Sequence, residues 1–254
     1  MLQKFIKSWS ALLVLLLLII LWETAVMLFA IPPWLLPAPT SILSEAIAGW
    51  DSLTPHLLST IQLTTTGLVI GTTIGIFTAI TLHLVPFLKE AIYPLLILSQ
   101  NIPIIVLAPL LVVWFGFGLL PKLIVITLVC FFPIVIATLN GFEHTPKNLK
   151  HYMLMAGASK WQLFWKLELP FSLSSLFSGI KISATYSVMG AVISEWLGAK
   201  NGLGVYMTLA SSSFRTDRVF VAIIIIMIMS LILLGFIHLI ESKLVRWHIK
   251  EKQI

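Results

Sequence analysis

The sequence predicts an all-α integral membrane protein with six transmembrane helices. Three observations carry that fold class. Of 254 residues, 59% are apolar and only 10% charged, against about a quarter charged in an ordinary soluble domain. The mean hydropathy is +1.04. Six apolar runs approach the roughly 20 residues a spanning helix needs, at about 9–30, 58–82, 90–115, 119–140, 171–194 and 218–241. Finally, lysine and arginine fall on alternate connections. Eleven of the 16 lie at the N-terminus, Lys89, the fourth connection and the C-terminus. Lys122, Lys200, Arg215 and Arg218 lie on the other side, and Lys181 lies within the fifth span. Basic residues stay cytoplasmic, so both termini and the fourth connection are expected there.

The first run begins with Lys4 and Lys7 and then reads as ten consecutive Leu, Ile and Val residues, Leu12–Leu21. It exceeds a signal-peptide core and has no small-x-small cleavage site, so it reads as an uncleaved span. Glu23 costs about 3 kcal/mol near the membrane centre, while each Leu or Ile returns about 0.5 kcal/mol, so insertion wins. Pro32, Pro33, Pro37 and Pro39 then hold the chain extended. Thr40 or Ser41 is placed to cap a short helix, with Glu45 near capping spacing. Ile42, Leu43, Ala46 and Ile47 would lay that helix on the outer membrane surface. In the second span, Gly67, Gly71 and Gly75 form a small-xxx-small ridge for close helix packing.

Pro94, Pro103 and Pro109 interrupt the third run, with Gln100 and Asn101 beside the middle break. A broken helix at membrane depth must be buried in protein or line a watery cavity. Gln100 and Asn101 are therefore candidates for a polar solute path, or else they satisfy backbone groups freed by the prolines. Lys181, a cation inside a span, either attracts an anion, snorkels to the interface or pairs with a carboxylate. The single cysteine, Cys130, lies in an apolar run and reads as a packing residue.

Soluble chemistry is absent from the motifs. The sequence has no HExxH, no metal-spaced Cys/His cluster, no GxSxG and no GxxxxGK[ST] phosphate loop. The six histidines are scattered, mostly at span ends. The net charge of +6 is distributed as a membrane orientation signal, not as a nucleic-acid face. An ion-coupled secondary transporter would need coupling-ion residues at the midplane and usually an internal repeat, and neither is evident. An enzyme is not expected.

The fourth connection, 141–170, is long for a loop between spans. Thr145-Pro146 opens a helix, and Gly157 supplies a turn. Ser159 caps a second short helix with Gln162 at its capping-box position. Pro170 is expected to open the fifth span. Trp161, Phe164 and Trp165 then stand as aromatic anchors, either in the membrane interface or in a docking protein.

Gly157, followed by Leu167 and then Leu169-Pro170, resembles the cytoplasmic G-x9-I-x-L-P motif of ABC importer membrane subunits. The family's Glu-Ala-Ala start is replaced here by His151-Tyr152-Met153. AGASKWQLFWKLELP, LPAPTSI, APLLVVWFGFG, SGIKISA, EWLGAKNGLGVYM, FRTDRVFVAIIII and the C-terminal stretch 239–247 are similar to the nitrate/sulfonate/taurine branch. The resemblance implies a type I ABC importer permease fold in the bacterial cytoplasmic (inner) membrane, surrounded by lipid. Implied partners are a second permease copy, two separate ATPase subunits and an extracytoplasmic solute-binding protein. ATP and Mg would bind the ATPase, with no cofactor in this chain. The segment 145–170 would be the coupling helix, through Ala156, Gly157, Ala158, Ser159, Lys160, Trp161, Phe164 and Pro170. Glu195, Trp196, Gly202 and Gly204 would lie on the binding-protein side. The branch implies a sulfonate, taurine or nitrate solute, while EWLG…GLGVYM also resembles permeases for the pyrimidine precursor of thiamine.

Overall fold

A computed structural model describes residues 2–245, with side chains described from Leu12 onward. The side chains of Lys4 and Lys7, and Arg246, Trp247, Lys250 and Lys252, lie outside that description. The described residues form helices α1 (Leu2–Leu28), α2 (Pro39–Ala48), α3 (Trp50–Leu84), α4 (Pro86–Ser99), α5 (Ile104–Phe115) and α6 (Leu119–Glu143). There follow α7 (Lys147–Met155), α8 (Lys160–Leu163), a π-turn (Phe164–Glu168), α9 (Leu169–Glu195), α10 (Leu203–Ser212) and α11 (Thr216–Leu244).

Four continuous helices are long and apolar enough to cross a membrane: α3, α6, the run Lys160–Glu195, and α11. α4 and α5 qualify together as a fifth, bent by 99° at the break between them. The described apolar part of α1, Leu12–Leu28, is shorter. Of the three prolines in this third run, only Pro103 sits at the break; Pro94 and Pro109 are accommodated inside α4 and α5.

One sequence expectation changes, at the cap of the short outer helix. α3 contains the whole 58–82 run and extends it, running 35 residues from Trp50 to Leu84, about 50 Å, well beyond the roughly 30 Å hydrocarbon core. The short outer helix exists, but Ala38 is its N-cap and no side chain caps it. Pro39, at the first position, has no N–H to satisfy. The Thr40 N–H and hydroxyl instead donate to Glu23, at 3.1 and 2.8 Å. Glu45 turns away to Arg215 and Arg218 at 2.8 and 2.7 Å, because a charged pair outcompetes a neutral cap. Pro170 stands in the first turn of α9, as expected, although α9 is joined to what precedes it. The helix is continuous across it, from α8 through the π-turn into α9. A proline inside a helix lacks a donor and crowds the carbonyl four residues back. The widened turn before it, in which the Leu169 N–H reaches the Phe164 carbonyl, relieves that crowding.

The centre of the molecule is the contact of α3, α6 and α9. On α3, Gly67, Gly71 and Gly75 recur every fourth residue and face Ile126, Cys130 and Ile134 of α6, all three fully buried. A Cβ added at these glycines would lie 2.4 Å from Ile126 Cγ2, 2.7 Å from Cys130 Cβ and 2.9 Å from Ile134 Cγ2. The ridge therefore brings two backbones together, as its spacing predicts. On the α9 side, Ser183 Oγ donates to the Cys130 carbonyl at 2.8 Å. Cys130 is thus a buried packing residue between two helices.

Replacing Gly71 with Leu should part α3 from α6 and cost about 1–3 kcal/mol. The check is thermal unfolding of the detergent-solubilised protein, with Gly235→Leu as control, since nothing lies within 4 Å of a Cβ there. Equal unfolding temperatures would contradict the close contact.

Candidate coupling and translocation site

Three side-chain constellations bear on function, one at each end of α9 and one at the break between α4 and α5. The first is built by the fourth connection. α7 ends at Met155, and the Gly157 and Ala158 N–H groups donate back to the Leu154 and Met153 carbonyls, each at 3.0 Å. Gly157 has φ +79, a conformation glycine adopts without a steric penalty. Ser159 then caps α8. Its hydroxyl accepts from the Gln162 N–H at 3.2 Å, and its own N–H donates to Gln162 Oε1 at 2.9 Å. The capping box read from the sequence is present.

The aromatic residues divide by face. Trp161 and Trp165, four residues apart, are 60% and 51% exposed. Phe164 is 1% exposed and faces the body of the protein. Its ring lies 5.7 Å from Phe142 and 6.0 Å from His83, and Trp161 stacks on it at 6.0 Å. Phe164 is therefore not available to a partner as an outward anchor; helical spacing puts it four residues before Glu168 on the inner face. Lys160 and Ala156 remain exposed and Ala158 half-buried.

Glu168 was not singled out by sequence reasoning, nor were His83, Lys150 and Phe142. Its buried carboxylate lies 2.7 Å from His83 Nε2 and 2.5 Å from Lys150 Nζ. One acid thus holds the end of α3, the middle of α7 and the π-turn. His83 also stacks on Phe142 at 4.3 Å. A signal existed, because Glu168 is the lone carboxylate between Glu143 and Glu195. A single acid at the edge of an apolar run demands partners.

At the opposite end of α9, Glu195 is 1% exposed. Thr60 Oγ1 donates to its Oε1 at 2.7 Å, and the Gly204 N–H donates to its Oε2 at 2.8 Å. The same Thr60 oxygen accepts from the Leu203 N–H at 2.8 Å, and the Gly202 N–H donates to His56 Nδ1 at 3.1 Å. A Cβ at Gly202 would lie 2.2 Å from the Glu195 carboxyl carbon, at φ +139. The expected surface group is thus internal: Glu195, Gly202 and Gly204 fasten α9 and α10 to α3. Only Trp196 among the four is exposed. Nearby, Arg215 is bound by Glu45 and Asp217, and the adjoining Asp217 carboxylate raises the guanidinium above its ordinary pKa.

At the break, Gln100 and Asn101 line a cavity of about 460 Å³ together with Pro103, Phe132, Tyr186 and Met189. Asn101 Nδ2 donates to the Ile97 carbonyl at 2.8 Å, so one amide tends the freed helix end. Gln100 makes no side-chain hydrogen bond among the described residues. Lys181 does not join them. It is bound to Glu241 Oε2 and Oε1 of α11 at 3.0 and 3.2 Å, which also lies 3.3 Å from His238 Nδ1. The pairing alternative therefore describes Lys181.

A family described as binding-protein-dependent transport system inner membrane component matches residues 71–246. The chain belongs to that family. Over 237 residues it is 34% identical to the formylaminopyrimidine transport permease protein ThiX of Halalkalibacterium halodurans, covering 93% of this chain and 94% of that protein. The riboflavin transport system permease protein RibX of Chloroflexus aurantiacus is 33% identical over 97% of this chain and 93% of its own. The taurine transport system permease protein TauC of Escherichia coli is 28% identical, over 91% and 86%.

This permease carries both buried glutamates within the matched region, whereas His56 and Thr60 precede it. Thr60→Val should leave Glu195 Oε1 and the Leu203 N–H without partners, costing about 1–3 kcal/mol for each group. Thermal unfolding against Thr65→Val, whose hydroxyl bonds its own helix backbone, would reveal it. A Thr60 variant as stable as the control would rule the contact out as an anchor.

Proposed function

We propose that this permease, with a second copy, forms the membrane part of an ATP-driven importer in the bacterial inner membrane. Each copy supplies six spans, with α1 as the first and both termini cytoplasmic. An ATPase subunit docks on 145–170 of each copy, and a binding protein delivers solute from the other side. ATP and Mg belong to the ATPase, so this chain transports without catalysing. The observation that carries the reading is the exposed Trp161–Trp165 pair, on a helix capped by Ser159, hinged at Gly157 and joined inward through Phe164 and Glu168. Exposed tryptophans on a braced element suit burial in a partner groove.

For the solute we infer a small, uncharged nitrogen heterocycle. ThiX and RibX, both above 30% identity, are named for formylaminopyrimidine and riboflavin. The cavity at the break offers the Gln100 amide, with donor and acceptor groups, and Tyr186 and Phe132 rings suited to a flat ring. The anion argument from Lys181 loses its force, because Glu241 meets that charge. The sulfonate, taurine or nitrate reading is supported by the 28% identity to TauC and to an aliphatic sulfonates permease of Bacillus subtilis.

Trp161→Asp should cut ATP-driven uptake at least about tenfold, the loss typical of a hot-spot residue, with unchanged amounts of permease in the membrane. Cysteines at 159–163 should cross-link to a co-expressed ATPase subunit; their failure to do so would sink the docking reading. For the solute, calorimetric titration of the binding protein encoded beside this chain should give heat with an aminopyrimidine and none with taurine. The reverse result transfers the assignment to sulfonates.

A further inference from the structure

α7 buries no side chain. It passes into α8 through Gly157, whose Cβ position has nothing within 4 Å. Packing therefore does little to fix α7 to the membrane helices, whereas α8 is continuous with α9. Among the described residues, Lys150–Glu168 is the one side-chain bond that fastens α7 to another element. His83–Glu168 is likewise the one polar side-chain bond from α3 to the fourth connection. Both converge on a single carboxylate that is 7% exposed.

We propose that Glu168 is the positioning residue that carries movement of the docking segment to α3, so that its loss separates ATP hydrolysis from uptake without releasing the ATPase. This rests on the reading of 145–170 as the docking segment. The chemistry distinguishes Glu168 from the rings around it. Phe164, Phe142 and His83 make apolar contacts that tolerate sliding, because dispersion is non-directional. A buried carboxylate between two donors on different elements does not slide, because leaving either one strands a charge away from water. Displacement of α8 therefore draws the end of α3 with it. α3 is an unbroken helix from Trp50 to Leu84, and at its far end Thr60 and His56 hold Glu195 and Gly202. α3 is thereby tied to the α8–α9 helix at both ends, through Glu168 and through Glu195.

The test uses the assembled complex of permease, ATPase subunit and binding protein in proteoliposomes, with a Lys160→Cys cross-link to the ATPase as the docking readout. Glu168→Gln and His83→Leu should each keep the cross-link and continue ATP hydrolysis, while uptake per ATP hydrolysed falls at least about tenfold, within the usual range of coupling between sites. His83→Gln, which retains a donor near the Nε2 position, should restore most of the uptake. Uptake per ATP within about twofold of the parent in Glu168→Gln overturns the proposal, that change being below typical coupling. Loss of the cross-link in Glu168→Gln also overturns it, by making Glu168 a residue of docking or folding. A parent complex that never cross-links overturns the docking reading itself, and this inference with it.

Discussion

The close approach of α3 to α6 and α9 is the constraint on which the other features of this permease depend. Lipid is as apolar as the side chains, so helices in a membrane gain little from hiding leucine. They gain from contact at short range, and Gly67, Gly71 and Gly75 provide that range by removing every side chain that would stand between the backbones. Ile126, Cys130 and Ile134 fill the space so made. The apposition also fixes where the two ends of α9 fall relative to α3, which places Glu168 within reach of His83 and Glu195 within reach of Thr60. Polar bonds at the two ends and small residues between them make one rigid three-helix body.

The same body explains how the charges are used. The chain has ten acidic residues. The buried or partly buried ones among the described residues are answered: Glu23 by Thr40, Glu45 by two arginines, Glu168 by His83 and Lys150, Glu195 by a hydroxyl and a backbone N–H, Asp217 by Arg215, Glu241 by Lys181. The His83–Glu168, Thr60–Glu195, Arg218–Glu45 and Lys181–Glu241 ties join helices 60 or more residues apart, so these charges serve as connectors between helices. Lys181 is accordingly paired with Glu241, while the Gln100 and Asn101 amides line the cavity at the break between α4 and α5.

Much of this was legible in the residues. Hydropathy located the apolar runs, three prolines with two amides marked the broken third one, and the glycine period announced the α3–α6 contact. The capping box at Ser159 and Gln162 was readable because it is local. What escaped is long-range. Nothing near Phe164 in sequence says that its ring turns inward, because that depends on where α3 and α6 stand. Glu195 looked like a surface group beside a glycine-rich turn, yet Thr60, 135 residues away, draws it inside. Pro170 stands in the first turn of α9 as its preference predicts, but no local signal announces the widened turn that joins α9 to α8. Local chemistry was visible, and partners brought by the fold were not.

That turn has a mechanical meaning. Phe164–Glu168 closes its backbone ring one residue wider than the α-helix on either side. Each residue of an α-helix accounts for about 100° of rotation and 1.5 Å of rise. The surplus residue is a quantum of slack wound into an otherwise continuous helix. Tightening it to ordinary α geometry would swing α8 around the axis of α9 while shifting it along that axis. Rotation and translation would then be tied together, in a ratio set by the helix geometry.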